Sequence, residues 1–97
     1  MSRAEILDTL GQHRDELVRQ FRVKSLAVFG SVARDELRPE SDVDILVSFE
    51  KPPGFDGYMA LKWRLEELLR ARVDLVMEGA LRPDARAVVE AEAIRVA

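Results

Sequence analysis

From Phe29 to Val47 the chain reads FGSVARDELRPESDVDILV. An apolar run ends in Gly30-Ser31, a short charged segment follows, and Ser41-Asp42-Val43-Asp44 opens a second apolar run. A strand sends successive side chains to opposite faces, so Asp42 and Asp44, two apart, project from one face if a strand begins there. Paired carboxylates are a hard-oxygen platform for Mg²⁺. A Gly-Ser turn at the end of a strand aims backbone N–H groups and a hydroxyl at an anion. Metal-binding acids beside a phosphate-binding turn point to phosphoryl or nucleotidyl transfer.

Outward from this stretch the chain divides into clear periods. Ser2 and Glu5 fit a capping box, and Ile6, Leu7, Leu10, Leu17, Val18 and Phe21 recur at helical spacing, which predicts a first helix of about five turns. His13, the only histidine, sits at the edge of that stripe and reads as a packing or partner-facing ring. Val23–Phe29 predicts the first strand, Ser31 to about Leu37 a short helix, and Asp42–Phe49 the second strand, with one wholly apolar face and the acids opening the other. The prolines and glycine of KPPGFD make a loop, with Asp56 as the expected N-cap of a helix running to about Ala71. Met59, Trp63 and Arg70 share the face of that helix away from its leucine stripe. Trp63 then either lies over a loop of its own domain or meets a partner or second copy, since Trp, Met and Arg are enriched at interface cores.

Val73–Met77 predicts a third strand with Arg72, Asp74 and Val76 on one face, placing an acid among apolar residues, where a carboxylate is costly unless paired or metal-bound. Pro83 suits the first turn of a last helix through Val88 and Val89 to about Ala93, and the tail is either helix end or edge strand. The expected fold is α+β, an αβαβαβα order giving a small mixed sheet with helices on its apolar face and the acids on the other.

Ninety-seven residues imply a single domain, 1–97, too short for a second acceptor-recognition domain. With 47% hydrophobic and 34% charged residues the chain is of ordinary globular composition. The absence of cysteine excludes disulfide scaffolds and thiolate metal sites. No apolar run approaches a membrane span and no signal-peptide core precedes the first helix, so the expectation is a cytoplasmic protein. A net charge of −3 makes broad nucleic-acid binding the weaker expectation, although 12 of the 15 basic residues are Arg, suited to local phosphate or carboxylate contacts.

Asp-x-Asp or Gly-Ser alone is weak, but the four letters at fixed spacing arise by chance about once in 10⁵ start positions at ordinary residue usage. Gly30-Ser31-x-Ala33-Arg34, six residues, then Ser41-Asp42-x-Asp44-x-x-Val47 resembles the signature of the minimal nucleotidyltransferases, the small antitoxin-like branch of the DNA polymerase β superfamily. Nearly the whole chain takes part in the resemblance. It implies that Asp42, Asp44 and Asp74 are the catalytic carboxylates holding two Mg²⁺ ions. It implies that Gly30 and Ser31 contact the phosphates of a nucleoside triphosphate, most commonly ATP. Arg34 is read either as a further phosphate contact or as a structural ion pair with Asp44 or Glu36.

Members of that family are commonly encoded beside a HEPN-domain RNase toxin and antagonise it, in a type VII-like antitoxin role, by transferring AMP to a toxin tyrosine. The competing reading is an antitoxin that occludes its toxin stoichiometrically. One departure is Asp35, where the family often has Gly. Asp suits a left-handed residue less well than Gly and adds negative charge near a triphosphate.

Overall fold

The computed structural model describes all residues, 1–97. Four strands, β1 (Val23–Phe29), β2 (Val43–Phe49), β3 (Val73–Met77) and β4 (Ile94–Arg95), form one mixed sheet in the order β3-β2-β1-β4. β1 pairs antiparallel with β2 and β4, whereas β2 and β3 are parallel. Parallel neighbours need a crossover, here α3 (Gly54–Leu69). Helices α1 (Arg3–Gln12) and α2 (Arg14–Phe21) precede the sheet, and α4 (Pro83–Glu92) leads into β4. No helix is long and apolar enough to cross a membrane.

The alternation of β1 and β2 sends Leu26, Val28, Val43, Ile45 and Val47 to one face, where they meet Ile6, Leu10, Leu17, Leu61, Leu65 and Leu69 of α1 to α3 in one buried cluster. No polar or charged residue is buried. The acids therefore have only the opposite face and the sheet's end. α4 adds a helix on that opposite face: its Glu90 and the following Ala93 line a shallow depression with Ser25, Ala27 and Leu46.

The capping box forms as expected, with Glu5 N–H donating to Ser2 Oγ at 3.2 Å and Ser2 N–H to Glu5 Oε1 at 3.1 Å. The expected five-turn helix is instead two helices. His13 takes φ −103° and ψ 9°, outside the helical region, and ends α1 while starting α2. Its Nδ1 lies 2.9 Å from the Thr9 carbonyl oxygen, a local structural contact.

The segment expected as a short helix, Ser31 to Leu37, is a run of turns as far as Asp35 and irregular at Glu36 and Leu37. Arg34 N–H bonds to Gly30 O, Asp35 N–H to Val32 O and Glu36 N–H to Ser31 O, a pattern that never repeats one spacing. α3 begins at Gly54 with Pro53 in the capping position, so Asp56 lies in its first turn and is not the cap. It ends at Leu69, two residues short of the expectation, because Arg70 is left-handed at φ 52°. The tail resolves to an edge strand, with Ile94 opposite Val28 and Arg95 opposite Ala27.

Candidate active site

The site forms where β1 ends and β2 and β3 begin. Register dictates its centre: Phe29 pairs with Asp44, and Asp44 pairs with Asp74 across the parallel ladder. Aligned residues of neighbouring strands face the same way, so the two carboxylates stand side by side while Gly30 follows immediately beyond Phe29.

Gly30 is required on two counts. Its φ is +67°, and a Cβ added there would lie 2.2 Å from Asp44 Oδ2. Only a residue without a side chain lets the carboxylate stand against the turn. Beyond it, none of the backbone hydrogen bonds outside the helices and strands uses the N–H of Ser31, Val32 or Ala33. Three consecutive N–H groups without a protein acceptor are donors available to an anion.

Electrostatics mark Asp44 as the strained member. Its carboxyl is pushed above the usual range, first by partial burial, then by repulsion from Asp74 and Asp42 and by a hydrogen bond with Asp74 that favours the protonated form; Arg34 opposes the shift. Asp42, just before β2, is turned to Arg72, whose Nε lies 3.0 Å from Asp42 Oδ1. Asp74 is exposed on the edge strand β3, so the cost of burial that drew attention to it is not what governs it. It matters because of its register with Asp44.

Asp42, Asp44 and Asp74 do not form a ready-made three-ligand cage. Their chemistry nevertheless fits a hard divalent cation. Crowded carboxylates at the starts of two neighbouring strands, one of them with its proton affinity raised by burial and by the others, are relieved by positive charge from outside.

Arg34 forms no ion pair with Asp44, and its main partner is not Glu36. Its Nη1 donates to Glu92 Oε2 at 3.0 Å, with Glu36 more distant at 3.7 Å. The other oxygen of Glu92 accepts from Gly30 N–H at 2.9 Å. Glu92 and Arg72 are the residues that sequence reasoning missed. Arg3 is a third, donating to Ala33 O at 3.2 Å and standing 3.9 Å from Asp35. Asp35 takes φ 59°, so the position often filled by Gly does require a left-handed residue, and here Asp fills it with its side chain in solvent.

A turn with free N–H groups, abutted by acids at the start of two parallel strands, is an arrangement suited to phosphoryl or nucleotidyl transfer. Residues 10–96 match the model of the family described as "Nucleotidyltransferase domain", and the chain belongs to this nucleotidyltransferase family, in its minimal branch. The protein adenylyltransferase MntA of Thermococcus cleftensis is 42% identical over 92 residues, covering 95% of this chain and 93% of that one. A Methanocaldococcus jannaschii protein assigned as a protein adenylyltransferase is 43% identical over 79 residues, 81% of each chain.

A solved structure assigned as a minimal nucleotidyltransferase superposes with a TM-score of 0.76 at 42% identity, covering 91% of this chain and 93% of that one. The fold also recurs, at 20% identity and a TM-score of 0.74, in a toxin-antitoxin crystal structure with AMP-PNP, over 90% of this chain and 72% of that one. The chain is thus a nucleotidyltransferase.

Proposed function

We propose that this nucleotidyltransferase moves AMP from ATP to a protein hydroxyl, a tyrosine of a HEPN-type RNase toxin, and so acts as its antitoxin. The observation that carries the reading is the position of Asp44, in register with Asp74 and so close to Gly30 that no side chain fits between them. The protein adenylyltransferase names of relatives near 40% identity support AMP transfer to protein. A fold neighbour at 18% identity and a TM-score of 0.68 comes from a structure of a tri-AMPylated Shewanella oneidensis HEPN toxin in complex with an MNT antitoxin, which supports the choice of partner.

In this reading Ser31 and the free N–H groups that follow Gly30 hold the β- and γ-phosphates, and Arg34 offsets their charge. Asp42, Asp44 and Asp74 would hold two Mg²⁺ ions, which when bound neutralise the carboxylates and phosphates and lower the pKa of the acceptor hydroxyl. The acceptor oxygen bonds to the α-phosphorus, the bond from that phosphorus to the bridging oxygen breaks, and pyrophosphate departs with the electron pair. Asp74, exposed on the edge strand, takes the hydroxyl proton. Trp63, 62% exposed on α3 and covered by no loop of this chain, is with Met59 and Arg70 the proposed partner face.

The test is mass spectrometry of a candidate HEPN-type partner incubated with this protein, Mg²⁺ and each nucleoside triphosphate in turn, beside Asp44→Asn. The expected result is a gain of one or more AMP masses with ATP and none with the variant. Suppression of the partner with no mass gain would replace transfer with stoichiometric occlusion.

A further inference from the structure

Glu92 ends α4 and sits 62 residues from Gly30 in sequence, yet it makes the two shortest links between the last helix and the site. Oε1 accepts from Gly30 N–H at 2.9 Å and Oε2 accepts from Arg34 Nη1 at 3.0 Å. Its side chain is 26% exposed and Arg34's 48%. Otherwise α4 is loosely held: it has no buried residue. Its only other hydrogen-bonded side-chain tie is Arg86 to Glu78 O.

The position of Glu92 is set from its far side, because Ile94 is locked opposite Val28 in the sheet. The carboxylate is therefore presented to the turn by the ladder and not by α4 alone.

The allocation of donors decides what Glu92 does. Gly30 has one N–H, and Glu92 uses it, so Gly30 serves the site by its conformation and its close approach to Asp44, not as a phosphate donor. The three N–H groups that follow remain free. A guanidinium carries five N–H donors in a fixed fork; Glu92 engages Nη1 of Arg34 and Glu36 stands 3.7 Å from its Nε, leaving the donors of Nη2 for a ligand. A carboxylate that grips the base of the turn with one oxygen and one prong of the arginine with the other fixes both relative to each other and leaves their ligand-facing donors open. A carboxylate bonded to the N–H groups of Ser31, Val32 and Ala33 instead would have closed those donors off.

We propose that Glu92 is a positioning residue for the nucleotide, clamping the Gly30 turn and aiming Arg34 at the phosphates. The proposal rests on the reading of the turn and Arg34 as phosphate contacts.

The experiment measures Mg·AMP-PNP binding by calorimetry to the full chain and to Glu92→Gln, Arg34→Ala, Ser31→Ala and the Glu92→Gln/Arg34→Ala pair, with thermal melts of each. Glutamine is nearly isosteric and its carbonyl still accepts one of the two bonds, so the variant is expected to fold and melt near the parent. Removing a charge-assisted link of this kind is expected to weaken binding roughly tenfold. In the Arg34→Ala background the same change should add less than about twofold, because Glu92 acts through Arg34.

Unchanged or tighter binding by Glu92→Gln, with Arg34→Ala impaired, overturns the positioning role while leaving the phosphate site standing. Full additivity of the pair also overturns it, since Glu92 would then act independently of Arg34. If Arg34→Ala and Ser31→Ala both bind like the parent, the phosphate-site reading itself fails and the clamp fails with it.

Discussion

Gly30 and Gly54 offer a matched pair of perturbations. Their φ values are +67° and +69°, so replacing either by alanine incurs the same left-handed strain, but an alanine Cβ at 54 would meet nothing within 4 Å whereas one at 30 would lie 2.2 Å from Asp44 Oδ2. Left-handed strain costs roughly 1–2 kcal/mol. The lower entropy of the unfolded alanine chain returns about 0.4–1 kcal/mol of that. Gly54→Ala is therefore expected to cost about 1 kcal/mol, or about 4–8 °C in Tm for a chain of this size.

At position 30 the overlap comes on top. Ordinary contact begins at 3.4 Å, so the carboxylate oxygen must retreat by about 1 Å, and overpacking of this kind adds about 1–3 kcal/mol. A catalytic group displaced by about 1 Å loses roughly 10²-fold in rate. The expected outcome is a Gly30→Ala protein that melts below Gly54→Ala and has lost about two orders of magnitude of transfer, while Gly54→Ala keeps its parent's rate. Melts followed by circular dichroism, and AMP transfer to a candidate partner followed by mass spectrometry, read the two effects separately. If the two variants melt together and Gly30→Ala transfers within about threefold of the parent, the close approach of Gly30 to Asp44 is not what the site depends on.

Three further outcomes follow from the same geometry. Asp44 has its proton affinity raised in the folded state, so its stabilising contribution is full below its unfolded pKa and is lost as pH rises through the folded one. Asp44→Asn should therefore gain in Tm over the parent as pH moves from acid to neutral in EDTA, while losing transfer; a Tm difference that does not change with pH would refute this. Asp35→Gly relieves the left-handed strain at φ 59° and should raise Tm, by no more than about 1 kcal/mol in stability, measured by the same melts. Arg72→Ala frees Asp42 from the pair at 3.0 Å and should tighten Mn²⁺ binding roughly twofold to fivefold, read by calorimetry; unchanged affinity would show that the pair does not compete with the metal.

The parts of this fold that were legible are those where a side-chain period is imposed by burial on one face. The ranges of β1 and β3 coincide with their expected ranges, and β2 differs only in beginning at Val43, one residue after the expected Asp42, because Val, Ile and Leu at alternate positions have only one sheet face to bury. The parts that were not legible turn on single residues in unusual backbone conformations. Nothing in the side chain of His13 announces φ −103° and ψ 9°, and the two helices it separates share one apolar stripe. Arg22 and Arg70 end α2 and α3 in the left-handed region that glycine ordinarily signals. Asp35 does the same in the turn that was expected to be a helix. Glu92 was beyond reach for another reason: one acid among 18 carries no mark of a partner 62 residues away.

The third acid and its arginine are a different case, because the signal for them was present. Asp42-Val43-Asp44 and Arg72-Val73-Asp74 are the same pattern with one charge reversed. Once β2 and β3 are joined by a helix and so run parallel, aligning the two valines is the register that buries both on the apolar face. That alignment places Asp74 beside Asp44 and brings Arg72 alongside Asp42, which is the arrangement observed. The outer pair attracts and the inner pair repels, so the charge imbalance falls on Asp44, beside the turn with the free N–H groups. A carboxylate destabilised by burial and by its own neighbours is relieved either by a proton, whose affinity there is raised, or by a cation, and the second is the role proposed for Mg²⁺ at this turn.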